Sequence, residues 1–110
     1  MKLLRYGAPG QEKPALLDAK GGLRDLSGII PDLAGKALTS ASLAKIKAVA
    51  PESLPLVSGS PRIGACVADV RNFIAVGLNF ADHAAETGAE IPKEPILFNK
   101  APNCIVGPND

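Results

Sequence analysis

A segment rich in proline, glycine and serine, residues 51–64, divides the chain into two parts of different character. Proline restricts the backbone and glycine loosens it, so this composition is typical of a connector between domains. We therefore expect a small domain over residues 1–60 and the start of a larger one over residues 61–110. The residues that mark the connector are Pro51, Pro55, Gly59, Pro61 and Gly64.

The first part begins with three short apolar runs, Lys2–Tyr6, Pro14–Asp18 and Leu23–Leu26. Gly21 and Gly22 lie between the second and third runs and supply the positive φ that a tight turn needs. This pattern predicts a small antiparallel sheet in which each strand returns beside the previous one.

A helix is expected from about Ala41 to Val49, capped by Thr39 or Ser40 and stopped by Pro51. Its apolar residues recur every third position, so they share one face and form a stripe that can pack on a sheet. They are Leu43, Ile46 and Val49. The first part is therefore predicted to be β-rich with one helix.

The second part opens with Phe73–Val76, a continuous apolar run typical of a strand buried on both faces. A helix over residues 80–87 follows, for which Asn79 is the expected cap and Gly88 the expected end. Two further apolar runs, at 96–98 and 105–106, are interpreted as strands. The whole chain is thus predicted to be α+β, with a second part that lacks enough elements to cover its own strands.

Composition argues against several classes of partner. Basic and acidic residues number 12 and 11, with no clustered stripe, and aromatic residues make up only 4% of the chain. Nucleic-acid binding depends on clustered Lys and Arg and on stacking aromatic side chains, so we expect no nucleic-acid partner. No apolar run is long enough for a membrane span or a signal peptide, and a cytoplasmic location is expected.

Two cysteines, Cys66 and Cys104, stand far apart in the sequence without a metal-binding spacing. Two thiols and one histidine spread this widely do not form a structural zinc site. We expect both to be ordinary buried thiols, because free cysteine is among the most buried residue types.

The residues best suited to chemistry are His83 and Glu86, which stand three apart on the predicted second helix and therefore share a face. An imidazole exchanges protons near neutral pH, and a neighbouring carboxylate can fix its tautomer. Three roles fit this spacing: an exposed ion pair, a catalytic pair, and a pair of metal ligands. The spacing alone favours the exposed ion pair, because such pairs are common on helix surfaces.

A resemblance to a known family changes this weighting. Residues 73–110 resemble the fumarylacetoacetate hydrolase family, and within it bacterial proteins called ureidoglycolate lyases or 2-hydroxyhepta-2,4-diene-1,7-dioate isomerases. Residues 2–7 and 10–14 also resemble the amino termini of those proteins. The matching motifs, in order, are Gly77-Leu78-Asn79-Phe80-Ala81-Asp82-His83, Glu86, Pro92-Lys93-Glu94-Pro95-Ile96-Leu97-Phe98-Asn99-Lys100 and Gly107-Pro108-Asn109-Asp110.

The resemblance implies a small accessory domain followed by a mixed β-roll catalytic domain, of which this chain would hold only the beginning. It implies Mg²⁺ or Mn²⁺ on acidic residues, a homodimer, and substrates that are 2-oxo or 2-hydroxy-dienoic acids or acylpyruvates. The reaction would be hydrolysis of a C–C bond, isomerisation, decarboxylation or a lyase reaction. By the same resemblance His83 is the general base, Glu86 orients it, and Lys100 contacts the anionic substrate. The alternative for Lys100 is a solvated lysine at the end of a strand.

Two departures from the family pattern matter. Phe80 stands where relatives often have tyrosine, and no Glu-x-Glu metal pair occurs in the chain. We therefore expect an amino-terminal portion that holds no metal and has no metal-dependent turnover by itself. Two other hypotheses remain open: a self-contained, non-catalytic binding or assembly module, and a metal-free acid–base enzyme that uses His83 and Glu86 alone.

Overall fold

A computed structural model describes all residues, 1–110. The chain forms two compact units, which we call unit 1 (Met1–Val70 with Ile105–Asp110) and unit 2 (Arg71–Cys104). The predicted division into domains at residues 60 and 61 remains a prediction. No helix has the length and apolar character needed to cross a bilayer.

Unit 1 begins with a three-stranded antiparallel sheet in the order β1 (Lys2–Tyr6), β2 (Lys13–Leu17) and β3 (Leu23–Asp25). The predicted arrangement of three successive strands is therefore confirmed. The turn between β2 and β3 uses Gly21 at φ 81°, and the Asp18 carboxylate accepts hydrogen bonds from the backbone N–H groups of Lys20 and Gly22.

The helix α1 spans Ser40–Lys47, so the predicted helix is confirmed, although it ends two residues earlier than expected. Thr39 is its cap, and the Thr39 hydroxyl oxygen accepts a hydrogen bond from the N–H of Ser42 at 3.4 Å. Short 3₁₀ turns lie at Gly35–Leu38, Pro51–Ser53 and Pro102–Cys104.

The hydrophobic core of the protein lies in unit 1. Ile46 of α1 is 1% exposed, and Leu43 and Val49 pack against the same cluster, as the predicted stripe requires. The buried members of the cluster are Leu16, Leu26, Ile30, Leu33, Ile46 and Leu54. The sheet, the loop after it and α1 therefore share one core.

Unit 2 consists of an antiparallel pair of strands, β4 (Phe73–Gly77) and β5 (Ile96–Lys100), with the helix α2 (Ala81–Thr87) between them in sequence. The two strands and the helix confirm the predicted elements, and Gly88 ends α2 at φ 66° as expected. The protein as a whole is a small α+β chain with sheets of three and two strands, and no barrel forms.

Three expectations from the sequence are wrong: the burial of β4, the strand at residues 105–106 and the burial of the cysteines. The strand β4 is not buried on both faces, because Ile74 is 61% exposed and Val76 44% exposed. One short helix and one partner strand provide too little surface to cover it. Residues 105–106 form no strand, and both Cys66 and Cys104 are free and exposed rather than buried.

Candidate functional site

The helix α2 presents His83 and Glu86 together. The Nδ1 atom of His83 lies 3.7 Å from Oε2 of Glu86, which is an ion-pair distance rather than a hydrogen bond. The two side chains are 56% and 76% exposed, respectively. The predicted shared face is therefore confirmed, and both groups are open to solvent and to a small molecule.

Side-chain hydrogen bonds form within the first and last turns of this short helix. The Asp82 carboxylate accepts a hydrogen bond from the backbone N–H of His83 at 2.8 Å, within the first turn. The hydroxyl of Thr87 donates to the carbonyl oxygens of His83 and Ala84 at 3.0 and 3.1 Å. Ala84, which is 1% exposed, is the one buried residue of α2. His83 therefore has a defined backbone position.

The turn that leads from β4 into α2 differs from the one expected. Phe80, not Asn79, is the N-cap residue, and no side chain caps this helix. Leu78 adopts φ 46°, a left-handed conformation that is uncommon for leucine. Asn79 instead lines an open cavity of about 310 Å³, together with residues 76–78 and 91–95. None of His83, Glu86 and Lys100 lines this cavity.

Lys100, the last residue of β5, lies beside two aromatic rings. Its Nζ atom is 5.7 Å from the centroid of the Phe73 ring and 5.9 Å from that of Phe98. Phe73 is the partner directly opposite Lys100 in the β4–β5 register. Cation–π attraction acts over such distances and limits where the ammonium group lies. Lys100 makes no ion pair with Glu86, so the structure associates it with aromatic rings and not with the His83–Glu86 pair.

The acidic residues of this chain do not fit a divalent metal. Mg²⁺ and Mn²⁺ favour several oxygen ligands that converge on one point. No three His, Cys, Asp or Glu side chains come close enough together to hold an ion. The residues present therefore supply no complete ligand set for the metal that the family resemblance implies.

A network of charged side chains in unit 1 was missed by the sequence analysis. Arg62 lies at its centre, and its guanidinium donates to Oε1 of Glu12 at 3.0 Å and to both carboxylate oxygens of Asp110. Arg5 lies 3.5 Å from Glu12 and forms a two-pronged contact with Asp32. The contacts join residues up to 50 positions apart, so no local spacing could have revealed them.

The hydrogen bonds of this network change the acidity of its members. The Arg62 guanidinium, with the backbone N–H of Gly107, holds the pKa of Asp110 below its usual range. The pKa of Glu12 is lowered by a backbone N–H hydrogen bond and then by Arg62. Both carboxylates therefore lose their charge at a lower pH than they would without these hydrogen bonds.

The fold and the site define a small α+β chain with a solvent-open His–Glu pair on its second helix. No family model matches it. Over all 110 residues the chain is 63% identical to proteins of Burkholderia cenocepacia and Burkholderia multivorans, and 62% identical to one of Burkholderia ambifaria. Each carries the name "Putative hydrolase", and the chain spans 39% of the length of each.

Proposed function

We propose that the chain is the amino-terminal part of a hydrolase of the fumarylacetoacetate hydrolase family, with His83 and Glu86 as its catalytic pair. The observation that carries this proposal is the solvent-open contact of 3.7 Å between these two side chains, on a helix that follows a strand. The hydrolase names of relatives that match the whole chain support it. The ordered motifs of residues 73–110 support the choice of family.

In this proposal the two side chains divide the work of proton transfer. Glu86 lies against Nδ1 of His83, which leaves Nε2 to take a proton from the substrate or from an attacking water molecule. In the complete enzyme, a closer approach of this carboxylate to Nδ1 would favour the tautomer that carries hydrogen on Nδ1 and would stabilise the imidazolium that forms. The positive charge of Lys100 would attract the carboxylate of a 2-oxo or 2-hydroxy-dienoic acid or of an acylpyruvate.

We assign Mg²⁺ or Mn²⁺ to the complete enzyme rather than to these 110 residues, because no cluster of ligands exists here. The family resemblance places the metal on acidic residues that this chain lacks. We propose that those ligands lie in the part of the longer relatives that the chain does not match, and that the complete enzyme is a cytoplasmic homodimer. When bound, such an ion would polarise the oxo group of the substrate.

The exposed apolar sheet of unit 2 supports a second candidate function, a non-catalytic assembly module. Its strands leave Ile74, Leu97 and Phe98 between 46% and 65% exposed. Exposed apolar surface of this kind often marks a contact with another protein surface. This candidate requires the 110-residue chain to fold cooperatively by itself, with amide protons at 73–76 and 96–98 protected from exchange.

The experiment that tests the first proposal measures hydrolysis of acetylpyruvate, with Mg²⁺, by the longest polypeptide that the gene encodes. The substitution His83→Ala should lower kcat/KM by at least about 100-fold, since general acid–base catalysis contributes that much. The matched control is Glu90→Gln, which removes an exposed charge elsewhere in unit 2 and should leave the rate unchanged. Full activity in His83→Ala would overturn the proposed role.

The 110-residue chain should be assayed beside the longer polypeptide, with the same substrate and Mg²⁺. No Mg²⁺-dependent turnover is expected, and turnover at a rate near that of the longer polypeptide would contradict our assignment of the metal ligands. If neither polypeptide consumes the substrate, and the short chain unfolds cooperatively with protected amides in β4 and β5, the assembly module is the better account.

A further inference from the structure

The motif Gly107-Pro108-Asn109-Asp110 has no role in the proposed catalysis, yet its last side chain is closely held. Oδ1 of Asp110 accepts a hydrogen bond from Nε of Arg62 at 2.7 Å. Oδ2 accepts one from a terminal nitrogen of the same guanidinium and another from the backbone N–H of Gly107 at 2.7 Å. Asp110 thus closes its own turn and attaches it to Arg62, using both oxygens.

Arg62 is itself anchored to the body of unit 1. Its Nη1 donates to the carbonyl oxygen of Gly7 at 3.1 Å and to Glu12 at 3.0 Å. In the main chain, the N–H of Gly7 donates to the carbonyl of Arg62 at 3.0 Å. The side chain of Glu12 is only 9% exposed and also lies near Arg5. Arg62 is therefore fixed by the loop that follows β1, independently of Asp110.

Little else holds the segment 105–110. Val106 is 59% exposed, and residues 108–110 are exposed as well. The exception is Gly107, which is buried against residues 63 and 64. A Cβ atom on Gly107 would stand 2.2 Å from the carbonyl oxygen of Ile63, so this close approach requires glycine. Apart from Gly107, the segment buries little apolar surface, so polar contacts must supply most of what fixes its position.

We propose that the Arg62–Asp110 pair is a latch that holds residues 105–110 on unit 1. Two parallel hydrogen bonds from one guanidinium fix both the position and the angle of the carboxylate, which a single point charge does not do. The latch gives the Gly107–Asp110 motif a purely conformational role, separate from the chemistry proposed for unit 2.

The test uses the longest polypeptide that the gene encodes and three variants of it: Arg62→Lys, Asp110→Asn and the double variant. Lysine keeps the positive charge but lacks the planar fork, and asparagine keeps the shape but lacks the negative charge. Each single variant should raise the hydrogen-exchange rate of the Gly107 amide by about five- to tenfold, as expected for loss of one net hydrogen bond. The double variant should exceed the larger single effect only slightly, because both substitutions break the same contact.

Two references separate the latch from general loss of stability. The amide of Leu26 donates to Pro14 in the core of unit 1, and its exchange rate should change much less than that of Gly107. The control Glu52→Gln removes an exposed charge of unit 1 and should leave both rates unchanged. Unchanged exchange at Gly107 in Asp110→Asn would overturn the latch, and so would an equal rise at Leu26 or additive effects in the double variant.

Discussion

Each buried polar side chain in unit 1 has hydrogen-bond partners. Nε and Nη2 of Arg5 donate to the two carboxylate oxygens of Asp32 at 2.7 and 3.0 Å, and Arg5 is 8% exposed. No buried side-chain nitrogen or oxygen lacks a hydrogen-bond partner. A buried polar group without a partner costs free energy, so each of these contacts constrains which conformations the chain can adopt.

Tyr6 offers the clearest prediction for a single residue. Its hydroxyl donates to Oδ2 of Asp25 at 2.5 Å, and burial together with this carboxylate raises the pKa of Tyr6 to about 12. Because the folded pKa exceeds the unfolded value of about 10, the stabilisation is complete below pH 10 and is lost as pH rises towards 12.

Tyr6 is the single tyrosine and there is no tryptophan, so its ionisation can be followed by absorbance near 295 nm without interference. We expect a midpoint near 12 in the folded protein and near 10 in guanidinium chloride. In Asp25→Asn the folded midpoint should shift downward. Equal midpoints in the folded and unfolded protein would contradict the contact.

Among the helices, α1 depends on tertiary packing far more than α2 does. Its stripe contributes Ile46 to the core, and Thr39 caps its first turn. In α2 only Ala84 is buried, and no side chain caps the N-terminus. Short helices are marginal without packing, so α1 should be the more stable of the two elements.

The substitution Ile46→Ala tests the packing of α1. It removes three carbon atoms from a side chain that is 1% exposed, and we expect a loss of about 2–5 kcal/mol in the free energy of unfolding. The matched control is Ile29→Ala, at a side chain that is 42% exposed, for which a cost below about 1 kcal/mol is expected. Urea denaturation measures both, and equal losses would show that α1 does not pack as described.

At the scale of the whole molecule, the carboxylates with lowered pKa values all lie in unit 1. Arg24 and the N–H of Gly22 lower the pKa of Asp18. For Asp25, burial opposes the shift, but hydrogen bonds from Tyr6 and Ser27 outweigh it. The pKa values of Glu12 and Asp110 are also lowered, with Arg62 contributing to both. Unit 1 should therefore be sensitive to acid.

The sign of that acid dependence follows from the lowered pKa values. The stability that these carboxylates contribute is complete above their unfolded pKa of about 4, and it is lost as the pH falls through their pKa values in the folded protein. We expect urea midpoints, followed by the near-ultraviolet signal of Tyr6, to be lower at pH 3 than at pH 6. Asp18→Asn should reduce that difference, and a midpoint independent of pH would contradict the prediction.

Local elements of this protein could be predicted from the sequence because their signals are local. The runs that form β1 to β3, the glycines between β2 and β3, and the cap and stripe of α1 lie within a few residues of one another. The shared face of His83 and Glu86 also follows from the helical period alone. The catalytic roles of these two residues and of Lys100 remain predictions.

Burial and long-range pairing were decided only by the tertiary structure. Phe73–Val76 has the composition of a buried strand, but its exposure depends on which surfaces cover it. Cysteine is usually buried, but the exposure of the Cys66 thiol likewise depends on which surfaces cover it. Arg62 meets Asp110 across 48 positions, a contact that no spacing rule anticipates. The sequence determines local conformation through short-range sterics and periodicity, whereas burial and ion pairing depend on residues that only folding brings together.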